Sequence, residues 1–270
     1  MGATKPEFYS AEHGAAFSIL AVAASYWTRP HYPPETFDQL ERLIVDEPRA
    51  VLDLGCGTGF IARELAPRVR RVDAIDISGP MIEEARRQPG GDAANIRWVL
   101  GAAETAPLEP PYALVTAGSS LHWMDWEVVL PRLADVLTPN GVLAIVEEAV
   151  TPPPWQAEFV SIIPRYTANP GYQPGWDWIG YLEECGLLEV RGRLTTASSP
   201  VSQPLARYIE SFHARESLAF GRLTPAQIAA FDAEMRAIVR RHTAGDQVTL
   251  HVGARIIWGK PLRPHRGIRE

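Results

Sequence analysis

The chain has 270 residues, 46% hydrophobic and 21% charged, which is enough apolar material for one large α/β domain with an inserted subdomain. A net charge of −6 and a pI near 5.7 exclude the basic stripe that nucleic-acid binding requires. The two cysteines, Cys56 and Cys185, have no partner at metal-ligand spacing, so no metal site is expected and both read as reduced thiols of a cytoplasmic protein.

In chain order, the first expected element is an amphipathic helix over residues 8–27. Its apolar run, 15–24, ends in small residues as a signal peptide does. Glu7 and Glu12 argue against that reading, and the run is too short to cross a membrane, so no membrane partner is expected. A Pro-rich elbow follows, then a helix over 35–45. The stretch AVLDLGCGTGF, 50–60, reads as a buried parallel strand (Val51, Leu52, Leu54) ended by Gly55, Gly57 and Gly59. Glycines at such a turn let the backbone bend tightly and approach a ligand where a Cβ would collide. Asp76 stands 19 residues after Gly57, at the end of a second apolar run. In a doubly wound fold an acid at that spacing hydrogen-bonds the ribose of an adenosine cofactor.

The pattern then predicts a helix over 61–65, a strand over 72–77 and a helix over 80–88 opened by Ser78, a good N-cap residue. Strands over 96–100 and 112–117, a helix over 127–137 and a strand over 141–148 complete the repeating unit. The remaining third interleaves prolines with Trp155, Phe159, Tyr166, Tyr172, Trp176 and Trp178 before a strand over 188–195. A helix over 204–220 follows. A second helix starts at Thr224 with Pro225 at its first position and Gln227 closing a capping box. A last strand over 247–261 alternates and then turns wholly apolar, as an antiparallel strand beside a parallel sheet does. The chain divides into an N-terminal helical cover (1–45), a cofactor-binding core (46–150), a substrate-side segment with a helical lid (151–247) and a last strand with its tail (248–270).

The loop carries G-x-G-x-G behind Asp53, where a dinucleotide fingerprint needs G-x-G-x-x-G for a pyrophosphate. D-x-G-x-G-x-G at the end of a first strand resembles the S-adenosylmethionine loop of class I methyltransferases. Y-x-x-R-P-x-Y-P from Tyr26 to Pro33, GAAE at 101–104, S-L-H-W at 120–123 and VLPRLADVLTPNGVLAI at 129–145 are similar, in order, to motifs of the type 11 small-molecule methyltransferases. That resemblance implies a Rossmann-like, doubly wound sheet of seven mostly parallel strands with one antiparallel strand, and a helical lid between strands six and seven. It implies S-adenosyl-L-methionine as cofactor, S-adenosyl-L-homocysteine as product and a small-molecule acceptor. The matching cofactor positions are Tyr26, Arg29, Asp53, Gly55, Gly57, Asp76, Ile77, Met81, Ala102, Ala103, Glu104 and Ser119. At Ala102 the family often has an acid for the adenine amino group, and this chain lacks it.

Methyl transfer needs a base only when the acceptor must lose a proton. His122 after the fourth strand and His213 in the lid helix are the candidates, each with a bland alternative: a loop cap or cofactor packing for His122, a solvated helix face for His213. The aromatic cluster from Trp155 to Trp178 either walls a pocket for an aromatic or heteroaromatic acceptor or packs down a connector. For a charged acid the clamp would be Arg29, Arg165 or Arg215. Two other activities are weighed, a binding module that holds the cofactor without turnover and an NAD-dependent oxidoreductase, which the missing third glycine spacing disfavours.

Overall fold

The computed structural model describes residues 5–171, 173 and 175–263. Eight strands form one sheet: β1 (Ala50–Leu54), β2 (Arg71–Asp76), β3 (Ile96–Leu100), β4 (Tyr112–Gly118), β5 (Leu137–Val150), β6 (Leu188–Thr195), β7 (Ser199–Pro204) and β8 (Gln247–Pro261). Their order is β3-β2-β1-β4-β5-β8-β6, with β7 also on β8. Strands β1 to β5 are parallel, and β8 is antiparallel to β5, β6 and β7. β1 and all but the last residue of β4 are buried, as strands covered on both faces must be.

The sheet exceeds the seven expected strands by β7. The early part of β8 pairs with β7 and its later part with β6, so one long strand carries both along the same edge. Pro200 and Pro204 hide this strand in the sequence, because proline removes a ladder donor and is tolerated at an edge.

Helices cover both faces. α3 (Pro34–Arg42) and α4 (Phe60–Leu65) bury Phe37, Leu40, Ile61 and Leu65 on one side. On the other lie α6 (Trp126–Val136) and α8 (Trp178–Glu184), with Trp126, Leu130 and Leu182 in the core. The N-terminal segment is not one helix. It is a chain of short turns, including α1 (Ala11–Gly14) and α2 (Leu20–Ser25), broken where Ile19 turns extended. It packs Val22 and Ala23 against Met81 of α5 (Gly79–Arg87) and against Ala219.

The Pro-rich connector contains a helix, α7 (Gln156–Tyr166), with Pro164 in its last turn. The helix expected over 204–220 is broken as well. α9 (Leu205–Glu210) gives way to two 3₁₀ turns around an extended Arg215. α10 (Pro225–Arg240) has the expected capping box between Thr224 and Gln227 and buries Phe231, Met235 and Ile238. Together α7, α9, α10 and the start of β8 form a separate apolar core, the lid. No helix among the described residues is long and apolar enough to cross a membrane.

Candidate functional site

The glycine loop after β1 has the shape it has because its glycines are needed. Gly55, Gly57 and Gly59 take φ of +60°, +54° and +71°, which residues with a Cβ rarely adopt. A Cβ at Gly55 would stand 2.6 Å from that of Ser120, and one at Gly59 2.2 Å from the Trp98 ring. Beneath the loop Asp53 is buried, accepting from the Thr116 hydroxyl at 2.8 Å and the Ala62 N–H at 3.2 Å. It ties β1 to β4 and to the first turn of α4. Burial pushes its pKa up to about 7 against the pull of those donors.

Asp76 closes β2. Its Oδ2 accepts the Gly57 N–H at 2.7 Å and its Oδ1 the Ser78 N–H at 2.8 Å. Each carboxylate oxygen retains a further acceptor position beside the cavity it lines. Burial raises its pKa, and the two amide bonds oppose the rise. Ser78 in turn caps α5 through the Met81 N–H and donates to Phe17 O at 2.9 Å, which fastens the cover over the site.

Two cavities flank this loop and share Tyr26, Gly55, Gly57, Gly118 and Ser119, so they form one cleft. Ser119 sits at the junction with φ +49°, a strained backbone for a residue with a side chain. The first cavity, 240 Å³, runs from Asp76, Ile77 and Met81 to Ala102, Ala103 and Glu104, under Gly14 and Phe17 of the cover. Glu104 accepts the Asp125 N–H at 2.8 Å, and the Ala103 carbonyl is taken by Arg132. The second cavity, 190 Å³, holds Arg29, His31, Tyr32, Arg63, Glu148 and Arg207 around the other side of the loop.

Arg29 donates to Glu148 at 2.8 Å and to the Tyr26 hydroxyl at 3.0 Å, while its Nε is buried without a partner. Glu148 also takes Arg215 at 3.3 Å. Both pair members are buried, and the pairing outweighs that burial. The Glu148 charge holds Arg29 above its usual range, and Arg29 with Arg215 holds Glu148 below the carboxylate range. Every residue expected at the cofactor therefore lines one cavity or both. Arg63, Glu148, His31 and Arg207 joined them without a sequence signal beyond the position of His31 inside the R-P-x-Y-P stretch.

The two candidate bases lie elsewhere. His213 is 1% exposed, with Nδ1 2.8 Å from the Leu218 carbonyl and Nε2 2.8 Å from Asp232. Both nitrogens are engaged by lid groups and turned away from the cleft; the residue binds the lid together and lines neither cavity. His122 follows β4 as expected, but its ring packs among Tyr9 (5.1 Å), Trp123 (4.5 Å) and Trp178 (6.0 Å). Burial first, then the charges of Lys5 and Arg29, lower its pKa to about 3, and it too is absent from both linings. His31 is the histidine that reaches the cleft, packed edge-on to Phe60 and held below its ordinary value by burial, Arg63 and Arg207.

The aromatic cluster does not make one wall. Trp155, Phe159 and Tyr166 belong to the lid core, whereas Trp176 and Trp178 stack on Trp126 under the sheet. Tyr172 lies outside the described residues. Of the alternative clamps, Arg165 is exposed and paired with Glu234 on the lid surface. No cluster of metal-ligating side chains occurs among the described residues.

A family model described as a methyltransferase domain matches residues 51–141, the stretch that contains the glycine loop, Asp76 and Ser119. Residues 51–141 thus carry a methyltransferase domain of the class I, S-adenosylmethionine-dependent kind. This methyltransferase is 28% identical over 192 residues to a methyltransferase-like protein of Schizosaccharomyces pombe, covering 68% of this chain and 70% of that one. It is 32% identical over 120 residues to a malonyl-[acyl-carrier protein] O-methyltransferase of Halalkalibacterium halodurans, spanning 42% of this chain and 44% of the relative. Among solved structures, one described as a type II methyltransferase from Anaeromyxobacter dehalogenans superposes with a TM-score of 0.63 at 22% identity. That superposition covers 88% of this chain and 99% of the other. A Bacillus halodurans structure described as a methyltransferase superposes at 0.54 and 17% identity, covering 84% and 100%. At these identities the structural likeness concerns the fold.

Proposed function

We propose that this methyltransferase transfers a methyl group from S-adenosylmethionine to a small-molecule acceptor. The observation that carries the reading is Asp76, buried at the end of β2, bonded to the loop amide of Gly57 and still presenting acceptor positions to the first cavity. Vicinal ribose hydroxyls fit such a carboxylate, and the shallow Ala102 and Ala103 backbone beside Met81 suits a flat base. At the other end of the cleft Arg29, fixed by Glu148, has a buried Nε in want of an acceptor, which suits the methionine carboxylate.

Bound there, S-adenosylmethionine supplies a methyl group already activated on a sulfonium. What the chain contributes is alignment and exclusion of water. Tyr26, Gly118 and Ser119 stand where the cavities meet, under a cover that Ser78 and Phe17 hold shut. Neither His122 nor His213 is placed to remove a proton, and His31 is the imidazole that lines the cleft; a binder of the same fold without turnover is the second reading. A cytoplasmic setting is part of the same reading, supported by the free thiols of Cys56 and Cys185.

Calorimetry with S-adenosylmethionine, S-adenosylhomocysteine and NAD tests it. Both sulfur ligands should bind and NAD should not. Asp76→Asn should weaken S-adenosylhomocysteine by about 10- to 100-fold, the worth of charge-assisted hydrogen bonds of about 1.5–3 kcal/mol. Binding of NAD alone would refute the proposal. Formation of S-adenosylhomocysteine with any acceptor would then separate the enzyme from the silent binder.

A further inference from the structure

The second cavity contains more positive charge than the cofactor end described above uses. Arg29 is matched by Glu148, which also takes Arg215. Arg63 and Arg207 line the same cavity, and neither has a carboxylate within ion-pair distance among the described residues. Arg63 spends two of its donors on backbone carbonyls, Thr58 O at 3.3 Å and Pro89 O at 2.8 Å. Arg207 stands over the Trp27 ring, its guanidinium carbon 4.3 Å from the centroid, and donates one NH2 to Trp27 O at 2.9 Å. Its Nε is buried and has no partner. His31 lines the same cavity, close enough for both guanidinium charges to bear on its ring.

Unpaired guanidinium groups that converge on a cavity, one with a desolvated donor left open, leave a hydrogen-bond debt that an anion settles. A planar carboxylate matches the guanidinium fork in two directions at once. Asp53, the other acid of this cavity, cannot serve, since Thr116 and the Ala62 amide already hold it.

We propose that the methyl acceptor is a small organic acid whose carboxylate is held by Arg207 and Arg63 at the outer end of the second cavity. This rests on the methyltransferase reading above, with Arg29 given to the cofactor and Arg207 and Arg63 to the acceptor. Arg207 is then a specificity residue that joins the lid to the acceptor: it stands on α9 while its ring partner Trp27 stands on the cover. Acceptor binding would thereby clamp lid and cover together.

The test is calorimetric. Protein saturated with S-adenosylhomocysteine is titrated with a panel of aliphatic and aromatic mono-, di- and tricarboxylates, their primary amides, and inorganic phosphate. At least one carboxylate should bind, its amide should not, and phosphate should be at least 10-fold weaker. Arg207→Ala and, separately, Arg63→Ala should weaken that carboxylate 10- to 100-fold and leave the S-adenosylhomocysteine affinity unchanged. Arg207→Lys should recover part of the loss, and Arg165→Ala, on the lid surface, should have no effect. The proposal is overturned if no carboxylate binds, if amides or phosphate bind as well, or if neither arginine variant weakens binding. It is also overturned if Arg207→Ala weakens S-adenosylhomocysteine itself, because the arginine would then serve the methionine end. Failure of S-adenosylhomocysteine to bind at the first step would instead refute the underlying reading.

Discussion

Asp53 and Asp76 stand within one loop of each other, yet their tasks differ because their partners differ. Asp53 faces Thr116 and the start of α4 and is held near pH 7 by burial, well above the ordinary aspartate value of about 3.9. The native state therefore binds this proton more tightly than the unfolded chain does. Its contribution makes stability fall as pH rises from about 4 to about 7, and level off beyond. Asp53→Asn loses the charge and keeps the Ala62 N–H on its carbonyl oxygen, while the Thr116 hydroxyl turns to accept from the new amide nitrogen. The expected result is a difference in unfolding free energy between variant and parent that grows by a few kcal/mol across that window, read from urea titrations at several pH values. A parallel pair of pH curves would show Asp53 ionised throughout. Asp76 was legible from its spacing to the glycines, since two adjacent parallel strands of a fixed rise bring those positions together. His122, His213, Arg63 and Arg207 were not legible, because which way a side chain faces depends on neighbours far away in the chain. Leu218 and Asp232 fix His213 in the lid, and Tyr9 and Trp178 draw the His122 ring away from the cleft.

Among elements, those set by local chemistry stand close to where the pattern put them. Ser78 and Thr224 begin α5 and α10 with side-chain caps, and the apolar runs of β1 to β4 are strands. The glycine loop has the same local origin, and Gly59 tests it. A Cβ there meets both a left-handed φ and the Trp98 ring. Gly59→Ala should cost about 2–4 kcal/mol, combining left-handed strain with overpacking, and should abolish S-adenosylhomocysteine binding where protein remains folded; chemical denaturation and calorimetry measure the two. Other elements departed from the periodicity. The cover breaks at Ile19 and the lid helix at Arg215, although both segments carry helical residues. Each segment instead follows the surface beneath it: Gly14 lets the cover lie against Trp123, where a Cβ would be 3.1 Å from the tryptophan side chain. Strand β7, with two prolines, exists because the long β8 offers it a partner.

Across the whole molecule, cover and lid are joined by one buried acid. Glu216 accepts from Asn169 at 3.2 Å, lies 2.7 Å from His13 Nδ1 and pairs with Arg222; Asn169 also reaches the Phe8 carbonyl at 3.2 Å. Glu216→Ala should destabilise the protein by about 1–3 kcal/mol, because it leaves these buried partners unmatched. Hydrogen exchange should speed up in residues 8–25 and 211–220 and stay unchanged in β1 to β4; uniform acceleration would mean that the acid supports the fold at large. The sequence by itself determined the parallel core, the glycine loop, the place of Asp76 beside it and the likeness to a methyltransferase domain, since these follow from apolar periodicity, backbone freedom and fixed spacing over a few turns of chain. The tertiary structure alone decided the broken cover, the eighth strand, the withdrawal of both candidate bases and the arginine-lined end of the cleft. The physical reason is that burial and charge pairing are sums over neighbours from distant parts of the chain, and Arg29, Arg63, Glu148 and Arg207 become neighbours only when cover, loop, sheet and lid have closed on one another.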